Sequence, residues 1–195
     1  RSVCQYKHLG TSLHVRAGVA PDVAQKAATL AKESASYNPI FKNDNIAIEK
    51  KLKVAAASVM SGATFHVGTW SAISVSTYKK FHTPVVRMYK KIAGVEYQTT
   101  DEDLFQAIGA IAPMTIIRVQ RLALFKRVIT RGYEPLLRIL TIAAEAKNSW
   151  MRAVYEDLTW LSFSDDIQEL KGLNIKDRAA AVKARAIPVL PEVGS

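Results

Sequence analysis

The sequence predicts a mainly α chain, entered through a short N-terminal β-hairpin and completed by a bundle of about six to seven helices. Three observations predict it. Apolar residues recur at helical spacing over most of the chain. Residues that open and close helices, among them Pro21, Gly94, Pro113 and Glu134-Pro135, punctuate those stretches. The one stretch that alternates, Val3 to Val15, stands at the start. With 195 residues, 49% of them apolar and 23% charged, such a chain hides roughly two thirds of the surface its unfolded form exposes. Wholesale disorder is excluded on the same composition.

In the alternating stretch, Cys4, Tyr6, Leu13 and Val15 flank a turn candidate, Leu9-Gly10-Thr11-Ser12, and Ala17-Gly18-Val19 follows as a loop. Pro21 and Asp22 then open a helix, the proline fitting the first turn and the carboxylate complementing the helix N-terminus. Val23, Ala27, Leu30 and Ala31 form its buried stripe, and it ends before Asn38-Pro39. Asn43-Asp44-Asn45 is a turn and cap cluster. From Ile46, apolar residues at Ile48, Leu52, Ala55 and Val59 predict a second helix, with Glu49, Lys50, Lys51 and Lys53 on or beside its opposite face. A third spans about Val75 to Ala93, buries Tyr78, Phe81, Val85, Met88, Tyr89 and Ile92, and ends at a Gly94 cap. Pro84 is the point at which it would kink or restart.

Thr100-Asp101-Glu102-Asp103 is an N-cap signature for a short helix ending near Gly109. Pro113 starts another that runs to about Arg131; it is apolar around much of its circumference, which predicts a central position. Glu134-Pro135 opens a long helix to about Thr159, and a last helix covers roughly Asn174 to Arg185. The tail Ile187-Pro188-Val189-Leu190-Pro191 is expected to be extended or disordered. No repeat and no low-complexity tract occurs.

Net charge is +10, unevenly placed. Residues 1–95 hold 14 Lys/Arg against Asp22, Glu33, Asp44 and Glu49, whereas residues 96–195 hold 13 bases and 13 acids. The whole excess lies in the first half. Such asymmetry suggests a polyanionic partner there, or else a solvated lysine surface that serves solubility. Two regions are therefore distinguished: 1–95, a hairpin and basic helical region, and 96–195, a charge-balanced helical region with an extended tail.

Several chemistries are excluded. The single cysteine, Cys4, builds no internal disulfide, Cys-rich zinc site or iron–sulfur cluster. His8, His14, His66 and His82 show no metal-site spacing and are expected to be ordinary surface or core histidines. The nine glycines form no phosphate-binding loop, and no G-x-S-x-G elbow occurs. Phe163-Ser164-Asp165-Asp166 reads F-x-D-D, a carboxylate pair suited to Mg²⁺, but Ser164 as a cap with acids in the first helical turn explains it without a metal. No apolar run reaches the ~20 residues a membrane span needs, so no membrane partner is expected. The chain starts at Arg1 without a signal-peptide pattern and is expected to be a piece of something longer.

The order of features in the first half resembles the thumb of non-LTR (LINE-type) retrotransposon reverse transcriptases. Tyr6-Lys7-His8-Leu9-Gly10-Thr11 resembles their K-Y-L-G element, the primer-grip hairpin that closes the palm. The family's Asp-led helix matches Asp22, and its I-S-L-x-x-K-L-x-L helix matches residues 46–54, from Ile46 to Val54. Its Y-G-x-E-x-W motif is shorter here, Phe65-His66-Val67-Gly68-Thr69-Trp70, keeping glycine and tryptophan but not the glutamate. F-H-x-x-x-L-R-x-I-x-G has its counterpart in residues 81–94, with Phe81, His82, Arg87, Ile92 and Gly94. R-L-x-x-L-G-H corresponds to Arg121-Leu122 and the residues after them, without its glycine and histidine. The similarity covers about residues 5–130.

The resemblance implies a fragment that cannot polymerise alone, because the family's catalytic carboxylates lie upstream of the primer grip. It implies no catalytic residue and no cofactor here, the Mg of the parent RNA-directed DNA polymerase belonging to the palm. Its partners would be an RNA–DNA primer–template, gripped without sequence preference, and the upstream palm and fingers. An active parent would place it in the nucleus; otherwise it is expected to be intracellular. The nucleic-acid-binding residues would be Tyr6, Leu9 and Gly10 in the hairpin and Lys50, Lys51 and Lys53 on the helix, extended by Lys79, Lys80, Lys90 and Lys91. Trp70 and Phe81 are expected to be core. Two other readings stand beside it: a helical interaction or degenerate retroelement-derived module without nucleic-acid activity, and an unrelated basic helical RNA-binding domain.

Overall fold

The computed structural model describes residues 5–8, 11–14, 18–132, 134–143, 146 and 149–161, and is mainly helical. The backbones of β1 (Gln5–His8) and β2 (Thr11–His14) pair antiparallel, with Tyr6 opposite Leu13 and His8 opposite Thr11, and β2 runs beside the first helix. Leu9, Gly10, Phe163 to Asp166, the helix expected over 174–185 and the tail lie outside the described residues.

Helix α1 (Ala20–Ser36) carries Pro21 in its first turn and buries Val23, Ala27, Leu30 and Ser34, a stripe at intervals of three and four, with Asp22 and Lys26 buried beside it. A one-turn α2 (Asn38–Phe41) follows. The Asn43 side chain then accepts from the Asn45 backbone N–H (2.9 Å), an Asx turn that delays the next helix to α3 (Ile48–Val54), two residues after its expected start. That helix continues through a π-helical stretch, Ala55–Met60, into the single turn α4 (Ser61–Ala63). The wider stretch buries Ala55, Val59 and Met60 in the core, and α4 adds Ala63. After a 3-10 turn at Val67–Thr69, α5 (Val75–Ala93) starts at Ser74, whose hydroxyl accepts from the Thr77 N–H, and runs through Pro84 without ending. Gly94 stops it at φ +66°, where both its own N–H and that of Val95 reach the Lys90 carbonyl.

Helix α6 (Asp101–Ile108) begins at the Thr100 cap and α7 (Pro113–Arg131) at its proline. The single long helix expected after Glu134 is two helices, α8 (Glu134–Ala143) and α9 (Trp150–Trp160). Ser149 restarts the chain by accepting from the Arg152 N–H at 3.1 Å, and α9 packs back along α7. Continued straight, it would carry Met151, Val154 and Leu158 away from the surface that buries them.

The apolar interior forms two clusters. The first gathers α1, the π-helical stretch, Trp70, the inner face of α5, Leu104 and Ile108 of α6, and Ile117. The second joins Leu122, Phe125 and Ile129 to Met151, Val154, Leu158 and Leu161. Helix α7 contributes to both, which is why its apolar residues run around its circumference. The charge balance thus changes near residue 95, and the packing changes over later, inside α7.

Candidate nucleic-acid interface

Between Glu49 and Glu96 the chain has no acidic residue and eight basic ones. Burying an unpaired cation is costly, so cations without acids nearby are driven to the surface. Lys50 and Lys53 on α3, and Lys79, Lys80 and Arg87 on α5, are exposed, while Phe81, Val85, Met88 and Ile92 bury the other side of α5. Lys80, Arg87 and Lys91 recur at i, i+7 and i+11, a stripe on one face about 16 Å long. The stripe ends in a concave surface that Lys42 joins from the end of α2.

Lys51 does not share the exposed face. It is 6% exposed, turned about 100° from Lys50, and only residues three or four apart share a helix face. The phosphate contact expected of it is therefore withdrawn, and Lys50 with Lys53 is what α3 offers. Tyr6 lies in β1 with its backbone opposite Leu13. Lys90 is partly covered, donating to the Tyr97 carbonyl at 2.7 Å and lying 4.0 Å from Asp101. Lys91 donates to Asn38 Oδ1 at 3.2 Å, fastening α5 to α2.

The residues that carry the motif similarity are mostly packed inside. Trp70 is 1% exposed, meets Phe81 edge to face, and donates its Nε1–H to Asp22 Oδ2 at 2.7 Å. Asp22, expected to serve the helix terminus, is thus a buried acceptor. Gly68 lies against α7 so closely that a Cβ would stand 2.7 Å from the Gln120 carbonyl oxygen. Its own carbonyl accepts from Trp150 Nε1 at 2.7 Å. Arg121, 4% exposed, donates from Nε to the Trp70 carbonyl at 2.9 Å and through its terminal nitrogen to Asp157 Oδ2 at 2.6 Å. Arg118 approaches the other carboxylate oxygen at 3.5 Å and lies 5.0 Å from the Trp160 ring centre. Burial pushes the Asp157 carboxyl up to about 6 despite both guanidiniums. This network, spanning residues 22 to 160, went unread in the sequence: Arg121 and Asp157 are 36 positions apart, and no local pattern marks such a pair.

Among the described residues, no group of three or more His, Cys, Asp or Glu is placed to hold a metal. No single helix there is long and apolar enough to cross a membrane. No known protein family, curated protein or solved structure matches the chain.

Proposed function

We propose that this chain is the thumb and connection region of a non-LTR reverse transcriptase, a non-catalytic surface that holds the backbone of an RNA–DNA primer–template. The observation that carries the reading is the acid-free stretch from Lys50 to Val95, six of whose eight cations are exposed while most of its large apolar residues pack into the core. Supporting it, the residues that resemble the family's motifs, Asp22, Gly68, Trp70, Phe81 and Arg121, fall in one packed assembly. Positions that serve one scaffold are those expected to keep a common pattern.

The physical mechanism is charge neutralisation. Lys50, Lys53, Lys79, Lys80 and Arg87 lie over phosphates, each contact releasing condensed counterions, so affinity falls steeply with salt. A hybrid duplex offers a shallow groove read by shape, which makes binding insensitive to sequence. The hairpin with Tyr6, Leu9 and Gly10 would meet the primer end beside an upstream palm and fingers, which supply the Mg-dependent polymerisation in that family. An active parent would work in the nucleus.

The test is fluorescence anisotropy with a recessed RNA–DNA primer–template. The chain is expected to bind with a log–log salt slope of roughly −4 to −5, as about five phosphate contacts require. Binding is expected to collapse when Lys50, Lys53, Lys79 and Lys80 are all changed to Glu. A folded chain that shows no binding at low salt would overturn the reading. A second reading, a helical protein-interaction module, is favoured by Ile139 and Ile142, which stand 62% and 76% exposed on α8. It would take over in that event.

A further inference from the structure

The concave surface where α2 meets the C-terminal end of α5 carries more than a duplex backbone needs. It is an open groove of about 500 Å³ whose charged lining is Lys42, Arg87, Lys90 and Lys91, with no acid among the lining residues. Two of these cations are committed to building it. Lys91 ties the floor to Asn38, and Lys90 holds the Tyr97 carbonyl while its ammonium lies 5.2 Å from the centre of the Tyr97 ring. Asp101, the acid that approaches Lys90, is also engaged by His82 at 3.4 Å. Lys42 and Arg87 are exposed and make no hydrogen bond or ion pair among the described residues. Beside them the Tyr97 ring, anchored through its backbone, is 74% exposed.

An exposed aromatic ring next to unpaired cations is the pairing that single-strand binding uses: the ring stacks a base and the cations take the phosphate. Bases inside a duplex are already stacked on one another, so an open ring suits an unpaired one. We propose that this groove takes an unpaired nucleotide of a nucleic-acid strand, its phosphate on Arg87 and Lys42 and its base on the open face of Tyr97. The planar guanidinium of Arg87 can grip two phosphate oxygens at once, and Lys42 adds a mobile point charge. A strand, and not a free nucleotide, is the occupant because the groove is continuous with the basic stripe through Arg87 and Lys80. The inference rests on the nucleic-acid reading above and narrows it to the single-stranded segment adjoining the duplex.

The test is anisotropy of the full chain with a deoxyadenylate octamer and with an abasic strand of equal length, at one ionic strength, with adenosine monophosphate as competitor. The octamer is expected to bind at least about fivefold tighter than the abasic strand. Tyr97→Ala should remove that difference and Tyr97→Phe should keep it, while Arg87→Ala weakens both strands alike. Equal binding of the two strands, or a preference that survives Tyr97→Ala, would overturn the proposal. A monophosphate that competes as well as the octamer would overturn the assignment to a strand. Tyr97 and Arg87 are exposed, so circular dichroism should show every variant folded. Failure of the duplex reading is distinct: a chain indifferent to hybrid duplex but showing a Tyr97-dependent base preference loses only that reading. The reverse result removes only the groove.

Discussion

Around the first core, from Val23 to Ile117, six cations of the acid-free stretch are exposed: Lys50, Lys53, Lys79, Lys80, Arg87 and Lys91. Around the second, from Leu122 to Leu161, charge is turned inward, with Arg121 and Asp157 buried together at 2.6 Å and Arg118 closing on the same carboxylate. The difference follows from what each stretch has available. A segment with no acid has nothing with which to neutralise a buried cation, so most of its bases stay outside, Lys51 being the buried exception, and sum to a field that a polyanion can use. A balanced segment can pair its charges, and here the pair joins α7 to α9 and, through the Trp70 carbonyl, to the first core. One arrangement leaves cations in water, the other joins helices.

The comparison predicts unequal sensitivity to mutation. The largest effect is expected from Asp157→Ala, which leaves Arg121 buried without its partner and should cost about 3–5 kcal/mol of stability in urea unfolding. The double variant Arg121→Met, Asp157→Leu should recover most of that loss, since apolar replacement of a buried pair is often neutral or better. Next is Gly68→Ala, whose Cβ would press on the backbone of Gln120. It should cost about 1–3 kcal/mol by overpacking, and should blunt the cooperativity with which the two cores unfold together.

The two cores should also respond to pH with opposite signs. Burial holds the His82 imidazole below its usual 6.5, against the pull of Asp101. A depressed base contributes stability above pH 6.5 that is lost as pH falls through its lowered value. Asp157 is pushed up to about 6 from 3.8. A raised acid contributes stability that is complete below about pH 4 and lost as pH rises through about 6. The two contributions therefore oppose one another in the unmodified chain. In His82→Gln melting temperatures should fall as pH rises between about 4 and 6, and in Asp157→Asn they should fall on acidification below about 6.5. The smallest effects belong to the exposed lysines: Lys50→Ala, Lys53→Ala, Lys79→Ala and Lys80→Ala should each stay within about 0.5 kcal/mol of the unmodified stability.

The same contrast explains what could be read in advance. Where an element is bounded by local chemistry, its limits were legible. Gly94 ends α5 and Pro113 opens α7 at the residues that proline and glycine mark, and Thr100 caps α6. Where the cause is distant, they were not. Apolar spacing continues from Leu140 to Val154, so periodicity runs α8 into α9, and the need to return against α7 has no local signature. Lys51 looks like its neighbours in the sequence, and only the facing of α3 separates it from Lys50. The groove was half legible: Lys90 and Lys91 stood out as bases, whereas Lys42 and Tyr97 join them only through the meeting of α2 with the end of α5.

The central claim is that position, and not net charge, makes the first half a nucleic-acid surface. Two charge-reversed chains test it most directly. One carries Glu at Lys50, Lys53, Lys79 and Lys80, the other Glu at the exposed Arg127, Arg131, Arg138 and Arg152; each moves the net charge from +10 to +2. Their affinities for the recessed RNA–DNA hybrid are compared at one salt concentration, with folding checked by circular dichroism. The account predicts that the first chain loses binding by about a hundredfold or more, while the second stays within about threefold of the unmodified chain. Equal losses in the two would contradict it, since binding would then report net charge alone.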